Sequence, residues 1–271
     1  MKKLIATCLL MMAVFAFAPD VQAQELDEVL KQHFEAIGQE EVNKLNSITF
    51  AGKVIVNNGM MEIPMTMTQK RNFKMKTEST FQGQKFIEAF NETSGWRINP
   101  FAGQTEPQAM TEDENRSTRM QADIDGALHN YEKKGYKAEL LGVDDMEGSK
   151  VFKIKLSNTA GEQFTYFIDA DSYVILKSTS KLKVQGNEME SETFFGNYKQ
   201  MNGMAFPYSL ETKIGGQVVS QIVIDEVRLN PEIDDAEFMM PGKKPEAAEV
   251  KQATKAEEAK PKAKKGKKSK K

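Results

Sequence analysis

Cysteine and histidine are nearly missing from this chain: the only cysteine is Cys8, in an apolar stretch near the start, and the only histidines are His33 and His129. A body free of cysteine has no disulfide, no thiolate metal site and no thiol nucleophile. Two histidines, one on each expected helix, build neither a zinc cluster nor a spaced His-x-x-x-His pair, so no metal is expected. Serine chemistry lacks its elbow, since no Gly-x-Ser-x-Gly occurs. The glycine-rich pieces are isolated turns with no helix behind them to cradle a phosphate. Acidic pairs do occur, at Asp123 and Asp125, Asp144 and Asp145, Asp169 and Asp171, Asp234 and Asp235. Each falls in an expected turn or on a helix surface, where Asp belongs for structural reasons. These absences predict a protein that is not an enzyme and uses no cofactor.

Long hydrophobic runs are missing too. The longest, Leu4 to Ala18, is 15 residues, short of the roughly 20 that a bilayer-spanning helix needs. With Lys2 and Lys3 before it and Val21-Gln22-Ala23 after it, the run reads as a removable secretion signal over residues 1–23. Cys8 lies inside that run and not after it, which argues against a lipoprotein acylation site. The reading is therefore an exported, periplasmic chain whose body begins at Gln24.

What the body does contain is alternation. Phe152, Ile154 and Leu156 interleave with Lys153 and Lys155, and Phe164, Tyr166 and Ile168 repeat the pattern after a turn at 158–161. That is the period of strands with one face on a core and one in water. Turns as short as Asp169 to Ser172 force antiparallel neighbours, because a parallel crossover needs a dozen or more residues. Similar runs over 48–56, 60–68, 73–81, 85–90, 95–99, 137–143, 190–198, 205–213 and 217–229 bring the expectation to about a dozen strands. A single sheet of that size tends to curl so as to hide its edges. The expected fold is mainly β: a curled, incomplete antiparallel barrel spanning residues 24–242.

Two helices accompany it. Leu26, Val29, Leu30, Phe34 and Ile37 have helical spacing and Gly38 stops them. A capping-box pattern at Thr111 to Glu114 starts a second helix, on which Met120, Ile124, Leu128 and Tyr131 mark one face as far as Gly135. This insertion is expected to lie over the barrel mouth as a lid.

Methionine is abundant, with 16 in the chain. Ile63, Met65 and Met67 share a strand face, and Phe73 and Met75 are assigned to a face of the next. Methionine fills cores, and it also suits surfaces that must fit more than one apolar shape. Beyond the body, residues 243–271 hold 12 Lys and 4 Glu, in a chain whose net charge is −2, so an acidic globule carries a basic tail. With almost nothing to bury, the tail reads as disordered. It is either a solubilising segment or an arm for anionic envelope components, with no nucleic acid expected in an exported protein.

Three short motifs resemble the LolA/LolB-type outer-membrane lipoprotein carriers: Lys70-Arg71 ahead of Phe73 to Lys76; Gly95-Trp96-Arg97-Ile98-Asn99-Pro100-Phe101 with Gln104 and Thr105; and Asp235-Ala236-Glu237-Phe238 with Pro241. The likeness covers most of residues 25–242, with Asn72 standing where the carriers have proline after the arginine. It implies a half-barrel with helices closing an apolar cavity. It also implies a ligand surface of Ile63, Met65, Met67, Phe73, Met75, Trp96, Met120, Ile124 and Leu128, with Arg71 as the lid latch. The implied function is periplasmic carriage of acylated lipoproteins or other lipids, received from and handed to membrane partners. A non-transporting lipid-binding or envelope-stress sensor on the same scaffold is the alternative.

Overall fold

The computed structural model describes residues 18–57, 59–184 and 187–242. The basic tail, and all but the last six residues of the expected signal, lie outside that range.

Helix α1 (Ala18–Ile37) and the short α2 (Gln39–Val42) precede five strands, β1 (Ser47–Val56), β2 (Met61–Lys70), β3 (Lys74–Phe81), β4 (Gln84–Asn91) and β5 (Gly95–Asn99). After a 3-10 turn come β6 (Gln104–Ala109) and helix α3 (Glu112–Gln121). Seven strands finish the body: β7 (Tyr136–Met146), β8 (Ser149–Asn158), β9 (Gln163–Asp169), β10 (Ile175–Val184), β11 (Asn187–Met201), β12 (Met204–Ile214) and β13 (Gln217–Leu229). Strand β6 lies in a proline-bearing stretch that falls between the strand-like runs of the sequence. Pro107 fits there because β6 is an edge strand, where a missing N–H costs no ladder bond.

All thirteen strands form one antiparallel sheet, ordered β6-β5-β4-β3-β2-β1-β13-β12-β11-β10-β9-β8-β7. It is not closed: β6 and β7 are its two free edges. Register shifts at Ala51/Gly52, Leu140/Gly142, Ile175/Lys177 and Thr212/Lys213 bend individual strands, and such bulges increase local twist and curl. The expected incomplete barrel is thus present.

The two edge strands are consecutive in the chain, so residues 110–135 must cross from one free edge of the sheet to the other. They do so over the face that also carries α1 and α2, here called the inner face. Leu26, Val29 and Leu30 of α1 pack with Tyr136, Leu140, Ile154, Leu156, Phe164 and Ile168. Val42 and Leu45 pack with Ile48, Met204, Tyr208, Ile224 and Val227. A third cluster joins Met75, Phe90 and Ala122. Gly38 sits at the kink between α1 and α2 with φ +70°, where an added Cβ would lie 1.9 Å from the Gly203 carbonyl oxygen in the β11–β12 turn. Only glycine permits both that backbone and that approach.

The expected long lid helix is corrected by the structure. The capping box is real, with Glu114 N–H donating to Thr111 Oγ1 at 3.3 Å and Thr111 N–H to the Glu114 carboxylate at 2.8 Å. Helix α3 nevertheless ends at Gln121, and residues 122–135 are successive turns. Asp123 accepts from the Asp125 N–H, Gly126 has φ +73° and Asn130 φ +53°, none of which a continuing helix allows. Met120, Ile124 and Leu128 therefore do not share one helix face. Phe73 is corrected as well: it lies in the turn before β3 with φ +57°, not on the strand face of Met75.

Candidate functional site

Cross-strand partners share a face of the sheet, so the register places each expected residue. Ile63, Met65 and Met67 pair with Val54, Gly52 and Phe50, and Gln69, next on that face, pairs with Met75. All lie on the inner face. Met75 is 1% exposed, beneath Ala122, and Met67 and Phe73 are partly buried beside it. Met120 and Leu128 join the α1 cluster, whereas Ile124 joins the cluster built on Val42 and Ile48. The crossing segment thus contributes one residue or more to each cluster, which makes it the keystone of the inner face.

Trp96 is the exception. It pairs with Ala89 on the opposite, outer face, and its Nε1–H donates to the Phe238 carbonyl at 3.1 Å. The C-terminal segment straps across that face: Phe238 is 0% exposed, and Asp235 binds Lys70 at 2.7 Å and Lys74 at 3.0 Å. Trp96 belongs to this strap and not to the inner surface. Its period-two neighbours gave no warning, because both faces of β5 are covered.

The crossing segment is held by directed bonds. Arg71 Nη1–H and Nη2–H donate to the two carboxylate oxygens of Asp125, each at 2.8 Å. The same guanidinium donates to the Val42 carbonyl at 2.8 Å and the Leu45 carbonyl at 2.5 Å. A planar fork with five donors is the one side chain that can tie a carboxylate and the end of a short helix together. Burial pushes the Asp125 carboxyl up, but the bonds and charge of Arg71 outweigh it, so its pKa stays below the ordinary value. Gln69 donates to the Gln121 carbonyl at the end of α3. Under α3 itself, Thr118 donates to Glu88 at 3.0 Å and Arg97 pairs with Glu114 at 2.5 Å. Lys134 closes the far end on Asp123 at 2.5 Å.

The open volume differs from expectation. Lid side chains occupy the surface of Met67, Phe73 and Met75, and a groove of about 900 Å³ lies instead between α1, α2 and residues 128–133. Leu30, Phe34, Leu128 and Tyr131 line it, with Glu35 and Glu40 among its acidic members. The other acidic pairs have structural partners: Asp144 binds Lys153, Asp169 accepts from Ser172, and Asp234 caps the 3-10 turn Asp235–Phe238. Among the described residues no cluster of His, Cys, Asp or Glu is arranged to hold a metal ion. No described helix is long and apolar enough to cross a membrane.

Sequence reasoning missed Asp125, Gln69 and His33. Asp125 was visible only as one of a pair, with no sign of its partner 54 residues away. His33, expected on a helix flank, is 3% exposed and its Nδ1–H donates to the Tyr173 carbonyl at 2.8 Å.

The fold and its crossing segment define a class: a lidded antiparallel half-barrel. Neither a known family model nor a curated protein sequence matches the chain. Solved structures do. A LolA superfamily protein from Nitrosomonas europaea has a TM-score of 0.54 at 12% identity, covering 79% of this chain and 96% of its own. An outer membrane lipoprotein-sorting protein domain from Vibrio parahaemolyticus has 0.52 at 13%, covering 78% and 97%. A DUF1329 family protein from Desulfovibrio piger has 0.54 at 11%, covering 78% and 97%. The chain has the fold that these proteins share.

Proposed function

We propose that this protein is a periplasmic carrier, not an enzyme, that takes acyl chains of lipoproteins or other lipids onto its inner face when the crossing segment lifts. The observation that carries this reading is the Arg71–Asp125 tie. It fastens a removable segment over Met67, Phe73 and Met75 by polar bonds at its margin, while the apolar contacts beneath are ones that a hydrocarbon chain can replace. Each buried methylene contributes about 0.8 kcal/mol, so a twelve-carbon chain supplies on the order of 10 kcal/mol before ordering costs. That is enough to compete with the segment for the same surface. Competition also makes binding reversible, since lid and cargo each lower the other's apparent affinity. The methionines line this surface without imposing one shape on it. Handover to membrane partners completes the reading and, like the cargo's identity, is part of the proposal.

The test is titration of a fluorescent fatty-acyl probe into the wild type and into Met65→Asp and Ile124→Asp variants that remain folded. Saturable binding in the wild type that falls at least about tenfold in both variants supports the carrier reading, a charge on an apolar surface being costly to bury. Absent binding, or equal binding in all three, overturns it.

A further inference from the structure

The inner face of the later strands carries a pattern that the acyl reading does not use. Ser220 of β13 pairs with Thr212 of β12, Thr212 with Thr193 of β11, Thr193 with Ser178 of β10, and Ser178 with Tyr166 of β9. Five neighbouring strands thus present five hydroxyl side chains in one row. At about 4.8 Å per strand the row extends about 19 Å. Its face is set by the adjoining row, where Ile222 pairs with Leu210 and Leu210 with Phe195. Ile222 and Leu210 pack against the cluster under α2, which places both rows on the inner face.

The row has two ends of different character. Beyond Tyr166 the register continues into Ile154 and Leu140, which are buried with Met120 and Leu128 of the crossing segment. Its other end, at Ser220, lies close to the β12–β13 turn. The hydroxyls Thr193 and Thr212 are 3.4 Å apart, and Ser180 and Ser191, one step outward on the same face, are 2.8 Å apart. All of these positions are half-buried. Burial pushes the Tyr166 phenol above its ordinary range, so it remains a protonated donor.

Sheet formation alone does not ask for this arrangement. Threonine favours strands as valine does, and an inner face that only had to pack would take the apolar residue, since a hydroxyl withdrawn from water without a full set of partners is costly. A row of neutral groups that both donate and accept fits a ligand with the same property. It fits an anion poorly, because a desolvated phosphate or carboxylate calls for a cation or several charged donors.

We propose that this row is a head-group subsite for the neutral, hydroxyl-bearing head of a glycolipid-like amphiphile, whose chain lies on the adjoining apolar row and the surface of Ile63 and Val54. The Tyr166 end then leads the ligand toward the crossing segment. This rests on the carrier reading and adds to it a class of cargo.

The probes are dodecyl maltoside and dodecanoate, which share a chain length, each titrated by calorimetry below its micelle concentration. Wild type is expected to bind the maltoside about tenfold more tightly or better, and Thr193→Val/Thr212→Val to lose about tenfold for the maltoside with dodecanoate unchanged, the loss expected for two modest hydrogen bonds. Valine matches threonine in shape and strand preference, and Ser178→Ala serves as an independent second variant if the double one misfolds. Dodecanoate bound as tightly as the maltoside, or both weakened alike in the variants, overturns the subsite and leaves the carrier reading standing. Binding of neither probe overturns both.

Discussion

Arg71 and Asp125 meet through two parallel N–H···O bonds of 2.8 Å, although one follows β2 and the other lies in the turns after α3. The pair is half-buried, with side chains 30% and 21% exposed. Removing one partner strands the other, and Arg71 also leaves two backbone carbonyls unsatisfied. Arg71→Ala is expected to cost about 2 kcal/mol, between the values for exposed and fully buried pairs. Hydrogen exchange should accelerate across residues 110–135 while β8 and β9 keep their protection. Arg71→Lys should restore little, because an ammonium has no fork. Unchanged exchange in the alanine variant would remove Arg71 from the latch role.

His33 and Asp125 are two of the groups that give stability a dependence on pH, each in a different window. Burial lowers the pKa of His33, and its bond to the Tyr173 carbonyl offsets this only in part. Its neutral form is favoured in the fold, so its contribution is complete above the unfolded value of about 6.5 and is lost as pH falls through the lower folded value. Asp125, also depressed in the fold, contributes fully above its unfolded value of about 3.9 and loses that as pH falls further. Denaturant melts should weaken in two steps on acidification. His33→Gln should shrink the first step, leaving the share of His129, whose pKa burial also lowers, and keep the second; a first step of equal size in wild type and variant would show that His33 does not contribute.

Gly38→Ala should destabilise by about 2 kcal/mol or more, because the left-handed backbone and the Gly203 carbonyl both resist a Cβ. Gly59, also at positive φ, would meet nothing within 4 Å, so Gly59→Ala isolates the backbone cost of about 1 kcal/mol. Equal melting temperatures for the two variants would show that the Gly203 approach is not constraining.

Phe238→Ala should cost about 3–5 kcal/mol, the usual range for a fully buried aromatic side chain. Trp96 is the only tryptophan, and the carbonyl it bonds belongs to Phe238. Its fluorescence should therefore shift to the red in the folded variant as the strap loosens. An unshifted spectrum together with an unchanged melting temperature would show that the strap does not hold this face.

Much of the fold was legible because strands with one wet face announce themselves by alternation. Ile154, Leu156 and Ile168 are all completely buried, within the meander where the pattern was clearest. Strand β6 escaped because its burial follows no period and proline sits within it. The lid was legible in its capping box and not in its length. Met120, Ile124 and Leu128 keep helical spacing for a different reason: Met120 and Leu128 pack into the cluster under α1 and Ile124 into the one under α2, as the chain turns from one half of the sheet to the other.

By itself the sequence determined the class of fold and the position of the crossing segment, since these follow from residue types, local spacing and turn residues. Only the tertiary structure decided that Arg71 finds Asp125, that Trp96 faces outward and that five hydroxyls align across β9 to β13. Each of those depends on strand register or on the path of a long crossing. A shift of one residue in any ladder reverses the face of every side chain on that strand, and nothing in the local pattern of residues around Thr193 or Trp96 sets which partner lies opposite.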